Sequence, residues 1–201
     1  MKDEDGSILI AADSMISDQH NAAVDFDLHK LKVHQSYPLV WAITGLYSRA
    51  IGQFSEYLAG HPAASWEELL EDTKERFAKI NGEERRIAKL AEVELGPNDL
   101  ASLLIVGWLD GEPDIVEFDE NGASTSYYET PGFHAIGAGA PHAIISRWTL
   151  EGFKMPTLPR FERIMRVATR LSPKCDFPLH VLRVSAGAVE RLSPEPQQPS
   201  V

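Results

Sequence analysis

The chain has 201 residues, 43% hydrophobic and 24% charged, a length and composition for one globular domain with a substantial core. Its formal net charge of -11 argues against nucleic acid or an anionic membrane surface as partner, because both need clustered Lys and Arg. The single cysteine, Cys175, can form no internal disulfide or thiolate-rich zinc site; no stretch approaches the roughly 20 apolar residues of a membrane span; and the acidic start Met1-Lys2-Asp3-Glu4-Asp5 has no signal-peptide pattern, so a cytoplasmic protein without metal or cofactor is expected.

Taken in chain order, Ile8 to Ala12 is a short apolar run after the turn residues Asp5-Gly6 and predicts a buried strand. Lys30 to His34 alternates polar and apolar and predicts a half-buried strand; Leu39 to Ile43 predicts a third, ending at Thr44-Gly45. Tyr47, Ala50, Ile51, Phe54 and Leu58 recur at helical spacing until Gly60 and Pro62 stop the run. Ser65 with Glu68 forms a capping box for a second helix, whose stripe is Leu69, Leu70, Thr73, Phe77 and Ile80. Asn81-Gly82 reads as an interruption, with a charged helix resuming over 83–93.

Strands then return. Ala101 to Leu109, Ile115 to Phe118 and Ser124 to Tyr128 are separated by Asp110-Gly111 and Asn121-Gly122, the signature of a meander with two tight turns. Phe133 to Ile136 predicts another short strand, ended by Gly137-Ala138-Gly139. Helices are expected over 142–152 and from Pro159 to Leu171, and Leu179 to Val184 with Val189 to Leu192 predict a closing hairpin around Gly187. The proline- and glutamine-containing stretch 193–201 reads as a disordered tail on a single domain spanning 1–192. Strands between two helix pairs point to an α+β protein built as a four-layer α-β-β-α sandwich, a pattern that other α+β arrangements share.

Four segments, in order, carry a family resemblance. Asp5-Gly6-Ser7-Ile8-Leu9-Ile10-Ala11-Ala12-Asp13-Ser14 resembles the second strand of proteasome β-subunits and HslV-type peptidases, and His29-Lys30-Leu31-Lys32-Val33 resembles the strand with their active-site lysine. Trp41-Ala42-Ile43-Thr44-Gly45 is similar to the segment opening their first long helix, and Phe133 to Pro141 to their Ala-Ile-Gly-Ser-Gly segment. The resemblance implies the N-terminal-nucleophile hydrolase fold and a threonine-type peptidase or amidohydrolase acting on a peptide or protein, without cofactor. It also implies self-association into a ring-shaped homo-oligomer. In such enzymes an N-terminal threonine hydroxyl attacks the carbonyl, its own α-amine serves as base, a lysine stabilises charge, an aspartate fixes the lysine, and a backbone N–H forms the oxyanion hole. By resemblance Asp13 matches the aspartate, Lys30 the lysine and Gly45 the oxyanion-hole glycine.

Three departures stand beside these matches. The nucleophile of the family precedes its aspartate by about sixteen positions, whereas twelve residues precede Asp13. The first strand and its threonine are therefore expected to be absent, and Met1 offers no nucleophilic atom. Ala138 replaces the serine of Gly-Ser-Gly, and no Asp-x-x-Ser pair is visible around Asp176. The natural protein starts upstream and is active, or the chain is a non-catalytic structural or interaction subunit; as written it is expected to be inactive. Elsewhere, His29 and His34 point to opposite faces of a strand, His134 and His142 read as polar packing, Cys175 as a loop thiol without a catalytic role, and Gly137-Ala138-Gly139 lacks the continuation of a phosphate loop.

Overall fold

A computed structural model describes residues 1–13, 16–17, 23–25, 30–45, 49–62, 65–95, 99–175 and 179–192. The apolar run at Ile8–Ala12 forms β1, and its outward neighbours in sequence make a small separate pair, β2 (Ile16–Ser17) and β3 (Ala23–Asp25). That pair has no alternating pattern to announce it. β4 is only Lys32–Val33, shorter than the five-residue alternation suggested, and pairs antiparallel with β5 (Leu39–Thr44). Helix α1 (Arg49–Ala59) and helix α2 (Trp66–Leu90) follow. The meander is β6 (Ser102–Leu109), β7 (Glu112–Phe118) and β8 (Ser124–Ser126). Its first turn has Asp110 at φ 51° and Gly111 at φ 79°, the two left-handed residues that a tight primed hairpin requires. Helices α3 (Ala140–Thr149) and α4 (Thr157–Leu171) precede the hairpin β9 (His180–Ser185) and β10 (Ala188–Leu192).

The strands form a five-stranded antiparallel sheet, β4-β5-β6-β7-β8, and a three-stranded one, β1-β9-β10. Alternation along each strand sorts its side chains into separate cores. Trp41, Leu103, Ile105, Val116 and Phe118 pack under α1 and α2 with Phe54, Leu69 and Phe77. Val40, Leu104, Val106 and Ile115 on the other face meet Ile8, Ile10, Leu182 and Val184 between the sheets. Leu9 and Val181 pack under α3 and α4 with Phe161, Ile164 and Ala168. The layers are therefore helix, sheet, sheet, helix.

Two expectations are overturned. Helix α2 runs unbroken through Asn81-Gly82. Asn81 is fully buried; its Nδ2 donates to Ala101 O at 2.9 Å and Glu120 O at 3.0 Å, and its Oδ1 accepts from Ala101 N–H at 2.9 Å. Asn81 thus ties the helix to the start of β6 instead of ending it. Asn81→Ala would leave both backbone groups of Ala101 unpaired and is expected to cost about 2–4 kcal/mol in urea unfolding. Gly82→Ala, where an added methyl meets nothing within 4 Å, should stabilise by about 0.5–1 kcal/mol. Equal and opposite small effects at the two sites would contradict this picture.

The second correction concerns Phe133 to Ile136, which is not a strand. Phe133 packs under α3 and α4 while Ile136 packs between the sheets, so the segment threads from one core to another and no ladder forms along it. A further strand-like stretch, not anticipated, lies at the other end of the chain. Met1, Lys2 and Asp3 fold back on β1 across a turn at Gly6 (φ 85°). Met1 N and O bond Leu9 O and N at 2.6 and 2.8 Å, Lys2 bridges Ile8, and Asp3 N–H donates to Ser7 O at 2.7 Å. The tail 193–201 lies outside the described residues.

Candidate active site

Asp13 leaves the end of β1, and Lys30 enters β4 from the other sheet. Lys30 Nζ donates to Asp13 Oδ1 at 2.9 Å, with side chains 23% and 17% exposed. Neither is free in solvent, yet both keep some exposure. The β4–β5 register pairs Lys32 with Trp41. Continued by two residues it sets Lys30 opposite Ile43, two short of Gly45, a backbone separation of about 8 Å.

Gly45 closes β5 with φ 101°, and a Cβ there would lie 2.3 Å from Leu100 O. The sheet therefore passes Gly45 directly against the backbone leading into β6, which only glycine permits. Gly137, at φ 83°, packs against the Thr44 side chain, so the Gly137-Ala138-Gly139 turn arrives beside the same strand end. Ala138 is exposed.

A residue that the sequence reading set aside belongs to this cluster. The Cys175 thiol hydrogen-bonds with Ser172 and with the Asp13 carboxylate, and lies within the field of Lys30. Burial is the main cause that pushes its thiol up from the ordinary value; the Ser172 hydrogen bond opposes this and the Asp13 carboxylate adds to it. It is therefore a poor thiolate and behaves as a neutral partner of Asp13. A Cβ on Gly139 would lie 3.1 Å from its sulfur. No local signal joins Cys175 to Asp13; they meet only because α4 returns the chain to the end of β1. Asp176 lies outside the described residues, as does His29.

His134 packs against polar and aromatic neighbours. Its Nε2 lies 2.8 Å from Glu117 Oε2, Tyr127 Oη donates to the same oxygen at 3.1 Å, and the Tyr127 and His134 rings stack at 3.8 Å. Burial lowers the His134 imidazole below its usual value despite the carboxylate, and burial likewise raises the Tyr127 phenol. Among the described residues no group of three or more His, Cys, Asp or Glu is placed to hold a metal ion, and no helix is long and apolar enough to cross a membrane.

The α-amine of Met1 is enclosed and donates to Leu9 O. Burial brings it down from 8.0 to about 5; Asp3 opposes the change and Arg147 assists it. Arg147 reaches inward from α3, where its Nε and Nη1 are buried without a hydrogen-bond acceptor, Nη1 standing 3.5 Å from Glu151.

No protein-family model matches the chain, and no curated protein matches it. Solved structures do. The chain superposes on the crystal structure of eukaryotic HslV from Trypanosoma brucei with a TM-score of 0.60 at 18% identity, covering 88% of this chain and 92% of that one. It superposes on Anbu, the ancestral beta-subunit from Yersinia bercovieri, with a TM-score of 0.68 at 15% identity, covering 93% and 83%. With two stacked antiparallel sheets between two helix pairs, the chain has the fold of HslV and Anbu, the N-terminal-nucleophile hydrolase fold of the proteasome β-subunit type.

Proposed function

We propose that the chain is the scaffold of a threonine-type peptidase or amidohydrolase whose nucleophile is set by a strand running ahead of Met1. The observation that carries this reading is the Lys30–Asp13 ion pair at the end of β1, the strand whose other half pairs with Met1–Asp3. Paired residues in that ladder are Met1 with Leu9, Lys2 with Ile8, and Asp3 with Ser7. Continued, the same register sets Ala11 opposite the second residue ahead of Met1 and Asp13 opposite the fourth. Cross-strand partners present their side chains on one face. A hydroxyl on that fourth residue would therefore share a face with the Asp13 carboxylate and its lysine.

The chemistry follows from the groups at hand. The hydroxyl oxygen bonds to the substrate carbonyl carbon while its proton passes to the adjacent free α-amine. Lys30 stabilises the developing negative charge, Asp13 holds Lys30, and the Gly45 N–H faces the oxyanion. The amine then delivers its proton to the leaving nitrogen, and water releases the acyl group by the reverse steps. Asp13, Lys30 and Gly45 hold these roles in the proposal; Cys175 adds a neutral donor against Asp13. Self-association, an expectation of the resemblance, is supported by Ile145 and Trp148, large apolar side chains exposed on α3. Cytoplasmic residence rests on composition.

The test is a chain with threonine and three further residues ahead of Met1, the threonine amine free. Fluorogenic-peptide cleavage should appear at this spacing and fall by about 10²–10³ in Lys30→Ala. Spacers one residue shorter or longer turn the hydroxyl to the opposite face and should be inactive. Equal activity at all spacings, or none at any, would remove the assignment. Complete inactivity would leave the second reading, a non-catalytic subunit, which Ala138 in place of a serine favours.

A further inference from the structure

β4 is the shortest strand of the five-stranded sheet and lies at its edge, with β5 as its ladder partner. Contacts outside the ladder hold both of its ends. At the entry, Lys30 reaches Asp13 in the other sheet. At the exit, His34 closes the turn to β5. Its backbone N–H donates to Leu39 O at 2.9 Å, and its ring, only 7% exposed, packs beside Tyr37 with centroids 4.8 Å apart.

Both nitrogens of that ring are committed. Nδ1 lies 3.0 Å from Ser36 N and 3.1 Å from Tyr37 N, two backbone groups that can only donate, so Nδ1 carries the lone pair. Nε2 lies 2.9 Å from His61 O, in the connection between α1 and α2; a carbonyl can only accept, so Nε2 carries the proton. The partners thus select one neutral tautomer. A second proton, at Nδ1, would face two N–H groups and break both bonds. The surroundings do not favour the cation either. Facing the ring are Tyr37 in its own turn and His61 after α1, with Tyr57 of α1 and Asp72 of α2 against His61, and Arg76 over Tyr57. The Asp72 carboxylate is taken by His61 Nε2 at 3.0 Å, and among the described residues no carboxylate pairs with His34. Burial holds the ring below its ordinary value of 6.5; the bond to the His61 carbonyl opposes this and the His61 ring assists it.

We propose that His34 is an acid-sensitive latch on β4: its neutral ring fastens the exit of the strand to the α1–α2 connection, and a proton taken from solvent at Nδ1 unfastens it. With the latch open, β4 is left with its two ladder pairs and the Lys30–Asp13 contact, and a partly exposed ion pair is a weak tether. The strand then loosens from the sheet edge and draws Lys30 away from Asp13. The sign is fixed by the two forms. Below about pH 6.5 the open form binds a proton that the closed form refuses, so opening grows easier as pH falls. Only the consequence for Lys30 rests on the proposed active site; the latch itself is read from the turn.

Amide hydrogen exchange of the parent chain and of His34→Asn, corrected for the intrinsic rate at each pH, tests it. The amide oxygen that the substitution introduces can accept from Ser36 and Tyr37 as Nδ1 does, and it does not titrate. From pH 7 to 5, protection at Ser36 and Tyr37 in the turn, and at Lys32 and Trp41 across the ladder, should fall about tenfold more in the parent than in the variant. The titrations of the Met1 amine and His134 are shared by both chains and drop out of the difference. If the variant fails to fold, the ring nitrogen resonances of His34 in the parent decide: an Nε2–H ring at pH 7 that titrates below about 6.5 is expected. Equal losses in the two chains, a proton on Nδ1 at pH 7, or a loss confined to Ser36 and Tyr37 with Lys32 and Trp41 unchanged overturns the proposal. No substrate is cleaved in these measurements, so the latch and the hydrolase reading fail separately.

Discussion

Gly45→Ala is expected to destabilise the fold by about 3–5 kcal/mol, more than the loss of either member of the ion pair beside it. Two costs add. The backbone at φ 101° is one that L side chains rarely adopt, and the new methyl would stand 2.3 Å from Leu100 O, 2.8 Å from Leu100 C and 2.9 Å from Ala101 Cα. All three are backbone atoms, so no rotamer relieves the clash. Nor can the neighbouring backbone retreat, because Ala101 is held by Asn81 and the next residue, Ser102, pairs with Thr44. Lys30→Met, by contrast, removes a partly exposed ion pair and leaves Asp13 some access to water and to Cys175; about 1–2 kcal/mol is expected. Gly60→Ala, where a methyl meets nothing within 4 Å, is the control and should be near neutral. Urea midpoints at constant slope measure all three. A Gly45→Ala chain within about 1 kcal/mol of the parent would mean that β5 does not pass this close to the β6 entrance.

That contact explains why Thr44-Gly45 was visible in the sequence as a strand end but not as a packing constraint: its partner is Leu100, across both helices of the pair. Features set by local chemistry were legible. Ile8 to Ala12 and Leu39 to Ile43 are apolar throughout, and Ala101 to Leu109 nearly so, because both faces are covered, and Asp110-Gly111 takes the left-handed pair its turn needs. Ser65 caps α2 through its hydroxyl, accepting from Glu68 N–H at 3.3 Å. Features set by tertiary contact were not. Asn81-Gly82 has the composition of a stop, and the buried hydrogen bonds of Asn81 override it. Phe133 to Ile136 has the composition of a strand, and its two aromatic and aliphatic anchors belong to different cores. Asp13 and Lys30 were named from a resemblance, and Cys175 was passed over because its nearness to them is a product of chain return alone. The Met1–Asp3 ladder was hidden by its polarity: Lys2 and Asp3 are held by backbone bonds, with Lys2 over the Tyr128 ring at 4.0 Å, not by apolar side chains.

That ladder carries the second large prediction, a pH dependence with a defined sign. The Met1 amine sits at about 5 in the folded chain and near 8.0 when exposed. Between these values the unfolded chain binds a proton that the folded chain refuses, so stability is full above pH 8 and falls as pH drops towards 5. The loss across this window is about 4 kcal/mol, a large share of the total stability of a domain. Three groups face the amine from different elements: Asp3 within the ladder, Arg147 from α3 and His134 from the 133–137 segment. His134 is also held neutral by burial, so its protonation subtracts stability in the same direction as pH falls. Acetylation at Met1 removes the amine's titration and also the amine's own push on His134, and both changes lessen the loss at low pH. Urea unfolding of the free-amine and acetylated chains from pH 8 to 5 should therefore diverge, with the acetylated chain losing less by about 4 kcal/mol at the acid end. Parallel curves would show that the amine is solvated, and the ladder on which the strand register rests would go with it.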